Sequence, residues 1–183
     1  MTVTVFPFRP KSPKPAEPRT WWAPVNFVFD DGTELSLPLA EKVIHFLEKH
    51  LWAEESKKHF IIVETFEEIV AINVRRLSHW TPDMEELGLL ETVERREEDE
   101  DEPAPVSVHC ANLAEPIQLW CAAEEASADI KPVQTAMLDL DDADLQDRPF
   151  LKVLDSSLQP HFFRTASVLL FRVPTWIVPD VLD

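Results

Sequence analysis

Glycine is scarce in this chain: its 183 residues include only two, Gly32 and Gly88, beside 16 prolines. Average usage would give a chain of this length about a dozen glycines. The GxGxxG loop of dinucleotide-binding folds needs three glycines, and the P-loop needs two at fixed spacing before Lys and Ser or Thr. The sequence therefore excludes both glycine-rich phosphate loops. Most breaks between its predicted elements are marked by proline.

Acidic residues outnumber basic ones by 34 to 17, which gives a formal net charge of −17 at pH 7. The charge is uneven, with +3 over residues 1–19, −7 over 20–90, −6 over 91–102 and −7 over 103–183. Phosphate contacts need Lys and Arg, so this balance argues against a general surface that holds nucleic acid or an anionic membrane. We expect neither of these as a direct partner.

Apolar residues make up 45% of the chain, which is enough for one or two cores. No apolar run approaches the roughly 18 residues of a membrane span, and the N-terminus lacks the apolar region of a signal peptide. The two cysteines, Cys110 and Cys121, are too few for a disulfide framework. We expect a cytoplasmic protein in which both thiols pack as small hydrophobic side chains.

The chain divides into four predicted segments. Residues 1–19 form a basic arm whose five prolines forbid a helix and favour extended chain. Residues 91–104 form an acidic linker, because the six consecutive acids from Glu97 to Glu102 repel one another. Two modules, 20–90 and 105–183, flank this linker.

The first module reads as ββαββ with one antiparallel sheet. Asp31 and Gly32 are a hairpin signal between two stretches of alternating polar and apolar residues. After Pro38, apolar residues recur at helical spacing from Leu39 to Leu51. The predicted strands are 25–29, 34–37, 60–63 and 69–74, the predicted helix is 39–53, and residues 77–80 either continue the last strand or add one.

The second module repeats this order. Its predicted strands are 106–110, 117–122, 150–154 and 162–173, with a loop or short helix at 137–147. The repeated order suggests an internal duplication, and the alternative is a single mixed α+β domain. The predicted fold class is therefore α+β, with antiparallel sheets and few helices, in the form of two similar ββαββ-like modules or one combined domain.

Metal sites lack complete ligand sets. His109 and Cys110, with Cys121, have no fourth ligand at the usual zinc spacing. The acidic run that starts at Asp139 resembles a calcium loop, but Asp144 stands at the position of the required Gly and Phe150 at that of the required Glu. We expect no metal and no other cofactor.

No pattern of catalytic residues is visible either. A GxSxG motif is impossible with these glycines, and the adjacency of His109 and Cys110 in sequence does not create a catalytic geometry. Among 34 acids, a pair of carboxylates is uninformative. We therefore expect a protein that is not an enzyme.

An acidic body attracts basic protein surfaces and speeds association with them. We expect a protein-binding module that inhibits or sequesters a basic, nucleic-acid-binding protein. Carboxylates on a rigid sheet can stand in for phosphates, as in a nucleic-acid mimic of the anti-CRISPR, anti-restriction or immunity type. The candidate partner-binding residues are Asp30, Asp31, Glu64, Glu67, Glu68, Asp139, Asp141, Asp142 and Asp144.

The alternative function is a structural or assembly component of a phage, mobile element or multi-subunit complex. There the six tryptophans and the Pro-rich arm would make the contacts, because Trp is enriched at interface hot spots. The charge would then serve solubility alone. Salt separates the two hypotheses, since only charge-driven affinity falls steeply between low and moderate salt.

Overall fold

The computed structural model describes residues 21–52, 59–65, 67–83, 88–89, 104–121, 132–141, 148–157 and 159–175. The predicted basic arm, and the predicted acidic linker up to residue 103, lie outside these residues. The described strands pair antiparallel throughout and are accompanied by few helices, which confirms the predicted α+β class. Neither α-helix of the described chain is long and apolar enough to cross a membrane.

The first half of the chain contains two hairpins separated by a helix. The Asp-Gly turn of the first hairpin forms as predicted, and Gly32 adopts the left-handed conformation with φ of 85°. A 3₁₀ turn follows the second hairpin and returns the chain to the first strand. The elements are β1 (Trp21–Phe29), β2 (Glu34–Ala40), α1 (Glu41–Trp52), β3 (Phe60–Glu64), β4 (Glu68–Asn73), the first 3₁₀ turn (Val74–Arg76), β5 (Leu77–Pro82) and β6 (Gly88–Leu89).

The second half repeats this order of elements, from hairpin through helix and hairpin to a 3₁₀ turn and a final strand. The elements are β7 (Ala104–Cys110), β8 (Ile117–Cys121), α2 (Pro132–Asp141), β9 (Phe150–Leu154), β10 (Pro160–Arg164), the second 3₁₀ turn (Thr165–Ser167) and β11 (Val168–Pro174). The single strand predicted over 162–173 is wrong, because the second 3₁₀ turn divides it. Helix α2 also begins before residue 137, where the predicted loop or short helix starts.

Helix α1 differs from its prediction in start and orientation. Leu39 still belongs to β2, where it lies opposite Ala23 of β1, so the helix begins at Glu41. Ile44 and Leu47 face the core with 5% and 1% exposure. Phe46, which the predicted stripe included, is 41% exposed. The buried face is therefore rotated from the one that the spacing indicated.

Both halves contribute to one central sheet, with strand order β3-β4-β11-β7-β8. A second sheet has the order β2-β1-β5 with β6 added to β1, and β10 and β9 form a two-stranded third sheet. The prediction of one antiparallel sheet for the first module is therefore wrong, because its strands belong to two sheets. The first 3₁₀ turn takes the chain out of the central sheet, so β5 pairs with β1 instead of β4.

Two hydrophobic cores lie on the two faces of the central sheet. Ile61 packs into a core with β1, β2 and α1, while its neighbour Ile62 packs into a core with α2 and the β9–β10 hairpin. Phe60 is fully buried in the second core. Burial of both faces explains why β3 begins as the continuous apolar run FIIV instead of an alternating one.

The two halves match in strand register. Phe29 lies opposite Leu77, and the register slips before Val28 meets His79. In the second half, Cys110 lies opposite Val168, and the next pair is His109 with Leu170, so the register slips by one residue at the equivalent position. The strand registers thus assign equivalent residues in the two halves, such as Phe29 for Cys110 and Leu77 for Val168.

Turn hydrogen bonds repeat as well. The Asp30 amide donates to the Arg76 carbonyl at 2.8 Å, as the Ala111 amide donates to the Ser167 carbonyl at 2.8 Å. The first residue of each 3₁₀ turn donates its amide to the residue before a hairpin, at 2.8 Å in the first half and 3.1 Å in the second. The halves are therefore structural repeats, joined where β4 pairs with β11.

Candidate ligand cavity and exposed hairpin face

A cavity of about 360 Å³ lies where the two 3₁₀ turns meet, and we call it the junction cavity. Both halves contribute to its wall. Its lining includes His59, Arg75, Arg76, Arg148 and Arg164. Four arginines thus line one cavity of a chain whose net charge is −17.

Asn73 holds the first 3₁₀ turn at this position. Its buried side chain accepts a hydrogen bond from the Arg75 amide at 3.2 Å and caps the turn. Its amide nitrogen Nδ2 donates to the Val168 carbonyl at 2.8 Å, across the boundary between the halves. One side chain therefore fixes both the turn that carries Arg75 and the start of β11.

Arg76 is committed to structure. Its Nε donates to Asp30 Oδ1 at 2.7 Å, and its Nη2 lies 2.6 Å from the same oxygen. Its Nη1 donates to the Ala166 carbonyl of the second half at 3.0 Å. Arg76 therefore links the two halves, and Asp30 balances its charge.

The other three arginines keep most of their charge available to the junction cavity. Arg148 lies 3.6 Å from Asp139, and its side chain is 57% exposed. Arg75 and Arg164 are exposed, and no carboxylate of the described residues pairs with either. The described chain holds 13 acidic and eight basic residues, and four of those eight are the arginines that line this cavity. Basic residues therefore predominate at the cavity, although acidic residues predominate in the described chain.

Asp31 also acts within the chain. Its carboxylate accepts hydrogen bonds from the Thr33 amide at 3.0 Å and the Asn112 amide at 2.8 Å. Partial burial opposes its ionisation, but these two amides hold the pKa of Asp31 below its ordinary value. Asn112 is the equivalent of Asp31 in the second half and has a φ of 64°. Its hydrogen bond to Asp31 brings the two hairpin turns into contact.

The remaining predicted partner-binding residues are not gathered on one surface. Glu68 accepts two hydrogen bonds from Arg172, at 2.6 and 2.8 Å, at the start of β4, while Asp30 lies beyond its far end. The six residues of β4, which lie between Glu68 and the end near Asp30, span roughly 17 Å. Glu64 and Glu67 are exposed at the β3–β4 turn. Asp141 ends α2, and Asp142 and Asp144 lie outside the described residues.

The β9–β10 hairpin exposes two aromatic rings on the face turned away from its core. Phe150 is 51% exposed and Phe162 is 62% exposed. The register pairs Phe162 with Lys152 and Phe150 with Arg164, so all four side chains share this face. We call these four residues the outer hairpin face, which adjoins the junction cavity through Arg164.

The tryptophans are divided between packing and exposure. Trp22 and Trp80 are half-buried, whereas Trp120 on the edge strand β8 is 59% exposed and Trp21 is 38% exposed. Nothing is described of the side chains of the other two, at positions 52 and 176. Among the tryptophans whose side chains are described, Trp21 and Trp120 are therefore the ones exposed for the contacts of the assembly hypothesis.

Both cysteines are free thiols in the described chain. Cys121 is buried and donates through Sγ to the Leu154 carbonyl at 3.4 Å. Burial, assisted by the charge of Asp155, raises the pKa of this thiol to about 12. Among the described residues, no three His, Cys, Asp or Glu side chains stand close enough together to hold a metal ion.

No known protein family, curated protein or solved structure matches this chain. Its function has to be inferred from the side chains that the fold brings together. The arginines of the junction cavity were missed by sequence reasoning. The doublet Arg75–Arg76 was visible, but Arg148 and Arg164 are isolated along the chain and join it only through the pairing of the two halves.

Proposed function

We propose that this protein is a non-enzymatic protein-binding module that works as a component of a larger assembly, with the outer hairpin face as its binding surface. The exposure of Phe150 and Phe162 on one side of the β9–β10 hairpin carries the proposal. Aromatic side chains supply large contact areas and are enriched at binding hot spots.

Comparison with the first half supports this assignment. The equivalents of Phe150 and Phe162 are Phe60 and Ala71, both with 0% exposure in the core shared with the second half. These positions thus cover another part of the protein in one repeat. In the other repeat the same positions carry rings that no element of the described chain covers.

The charges of the surface define the chemistry of the partner. Lys152 and Arg164 are exposed beside the two rings, so a complementary partner offers apolar and acidic side chains. Pro160 begins the free strand β10, and proline lacks the amide hydrogen that strand addition requires. We therefore expect the partner to dock through side chains instead of extending the hairpin.

A pull-down from the native host tests this proposal with a matched control. The double variant Phe150→Ala, Phe162→Ala should lose proteins that the wild type retains, while Phe46→Ala, which removes an exposed ring from α1, should keep them. Retention should persist at moderate salt. Proteins that stay bound to the double variant but leave at moderate salt would overturn the proposal.

A second candidate keeps the acidic surface as the attraction for a basic protein partner. Glu64 and Glu67 favour it, because both are exposed at the β3–β4 turn. Against it, the other predicted carboxylates whose side chains are described form contacts within the chain. We place this function second, and charge reversal by Glu64→Lys with Glu67→Lys tests it by abolishing the salt-dependent binding.

A further inference from the structure

We propose that the junction cavity is a binding site for a phosphate-bearing small molecule of about nucleotide size, held by Arg75, Arg148 and Arg164. The site shares Arg164 with the outer hairpin face, but its ligand is a small molecule and not the protein partner proposed above. The charge of the cavity lining, the lack of a structural use for these arginines, and the size of the cavity support this site.

Basic residues gather at this cavity. Arg75, Arg148 and Arg164 all line it, although basic residues are the minority in the described chain. Arginine presents a planar fork of donors that matches phosphate oxygens, and such charge-assisted hydrogen bonds are among the strongest in proteins. A concave wall of one sign also concentrates the potential and attracts small ions of the opposite sign.

These three arginines differ from Arg76 in their contacts within the chain. The Arg76 guanidinium donates hydrogen bonds to Asp30 and to the Ala166 carbonyl, so its structural role is to link the halves. Arg75 and Arg164 have no carboxylate among the described residues, and Arg148 has only a loose one at 3.6 Å. Like charges that face one cavity repel one another, and a bound anion removes that repulsion.

The size and position of the junction cavity also suit a small-molecule ligand. A cavity of about 360 Å³ falls within the range of about 300–1,000 Å³ that small-molecule sites occupy, and such sites prefer boundaries between structural units. Phe150 lies opposite Arg164 in the hairpin, so an aromatic ring is available near the rim. A base can stack on such a ring while its phosphates reach the guanidinium groups.

Calorimetric titration of the full chain tests the proposal with ATP, pyrophosphate and adenosine as probes. We expect ATP or pyrophosphate to bind and adenosine not to bind. Arg75→Ala and Arg164→Ala should each weaken binding by about tenfold or more. Both side chains are exposed and unpaired in the described chain, so neither variant should lower the melting temperature.

Lys42→Ala with Lys49→Ala is the matched control, because it removes two exposed positive charges from α1, away from the junction cavity. This double variant should bind the probe as the wild type does. The proposal fails if the wild type binds neither phosphate compound at millimolar concentration. It also fails if binding survives the loss of Arg75 and Arg164, or falls equally in the lysine control.

Discussion

The hairpins β3–β4 and β9–β10 hold the same place in the two repeats, yet their surroundings differ. The first is covered on both faces, with Ile61 and Ile62 in separate cores. The second covers α2 with one face and presents Phe150 and Phe162 on the other. The difference shows that one folding unit can serve as an internal connector in one copy and as a surface in the other.

The edge residues of the hairpins account for this difference. In the first hairpin, Ile69 pairs with Val173 where β4 joins β11. The equivalent positions in the second hairpin and in β5 are Pro160 and Pro82, and proline cannot donate a ladder hydrogen bond. Among the described strands, β10 and β5 have one partner strand each, and each carries its proline at the position equivalent to the Ile69–Val173 pair.

Removing the equivalent aromatic rings should give the largest difference in stability between the two hairpins. Phe60→Ala empties a fully buried site and should cost about 3–5 kcal/mol of unfolding free energy. Phe150→Ala changes the equivalent exposed site and should stay within about 0.5 kcal/mol of the wild type. Urea denaturation measures both values. Similar losses in the two variants would show that the hairpins are buried alike.

Local patterns were sufficient for most elements and insufficient for their arrangement. The strand at 25–29 and the strand at 150–154 follow from alternation of apolar residues, and both are confirmed. The division of 162–173 was missed because Thr165–Ser167 interrupts a run that remains apolar on either side. Periodicity sets which face of a strand is buried, but it does not select the partner strand.

The candidate site was harder to predict, because it depends on contacts between distant residues. Asp30 and Glu68 look like free surface charges in sequence, but Arg76 and Arg172 pair with them. The signal that could have reached the cavity was the doublet Arg75–Arg76 in an acidic chain. The doublet alone does not indicate a cavity, because the other two arginines, Arg148 and Arg164, belong to the second half. The pairing of β4 with β11 brings the two halves together.

The next effect concerns the link between the halves. Asn73→Ala removes a buried side chain that bonds the Val168 carbonyl and caps the first 3₁₀ turn, and should cost about 1–3 kcal/mol. Arg164→Ala changes the equivalent residue of the second half and should be nearly neutral, because its side chain is exposed. Thermal unfolding of both variants checks this, and equal losses would contradict the asymmetry.

A third test replaces the two edge prolines with residues that can pair in a strand ladder. Pro82→Val combined with Pro160→Ile supplies amide hydrogens and apolar side chains where the β4–β11 junction has them. We expect the double variant to self-associate, because exposed strands without edge protection pair with one another. Analytical ultracentrifugation measures this change. A monomeric double variant would contradict the assigned function of the prolines.

The smallest effect should be the pH dependence of the touching hairpin turns. The folded-state pKa of Asp31 is lowered, so its carboxylate adds stability above its unfolded pKa, and that stability is lost as pH falls through the folded value. Asp31→Asn should therefore be less stable than the wild type at neutral pH, with a gap that closes in acid. Urea unfolding at several pH values measures the gap, and Asn112→Asp tests the equivalent position. A gap that is independent of pH would show that the Asp31 charge does not stabilise this contact.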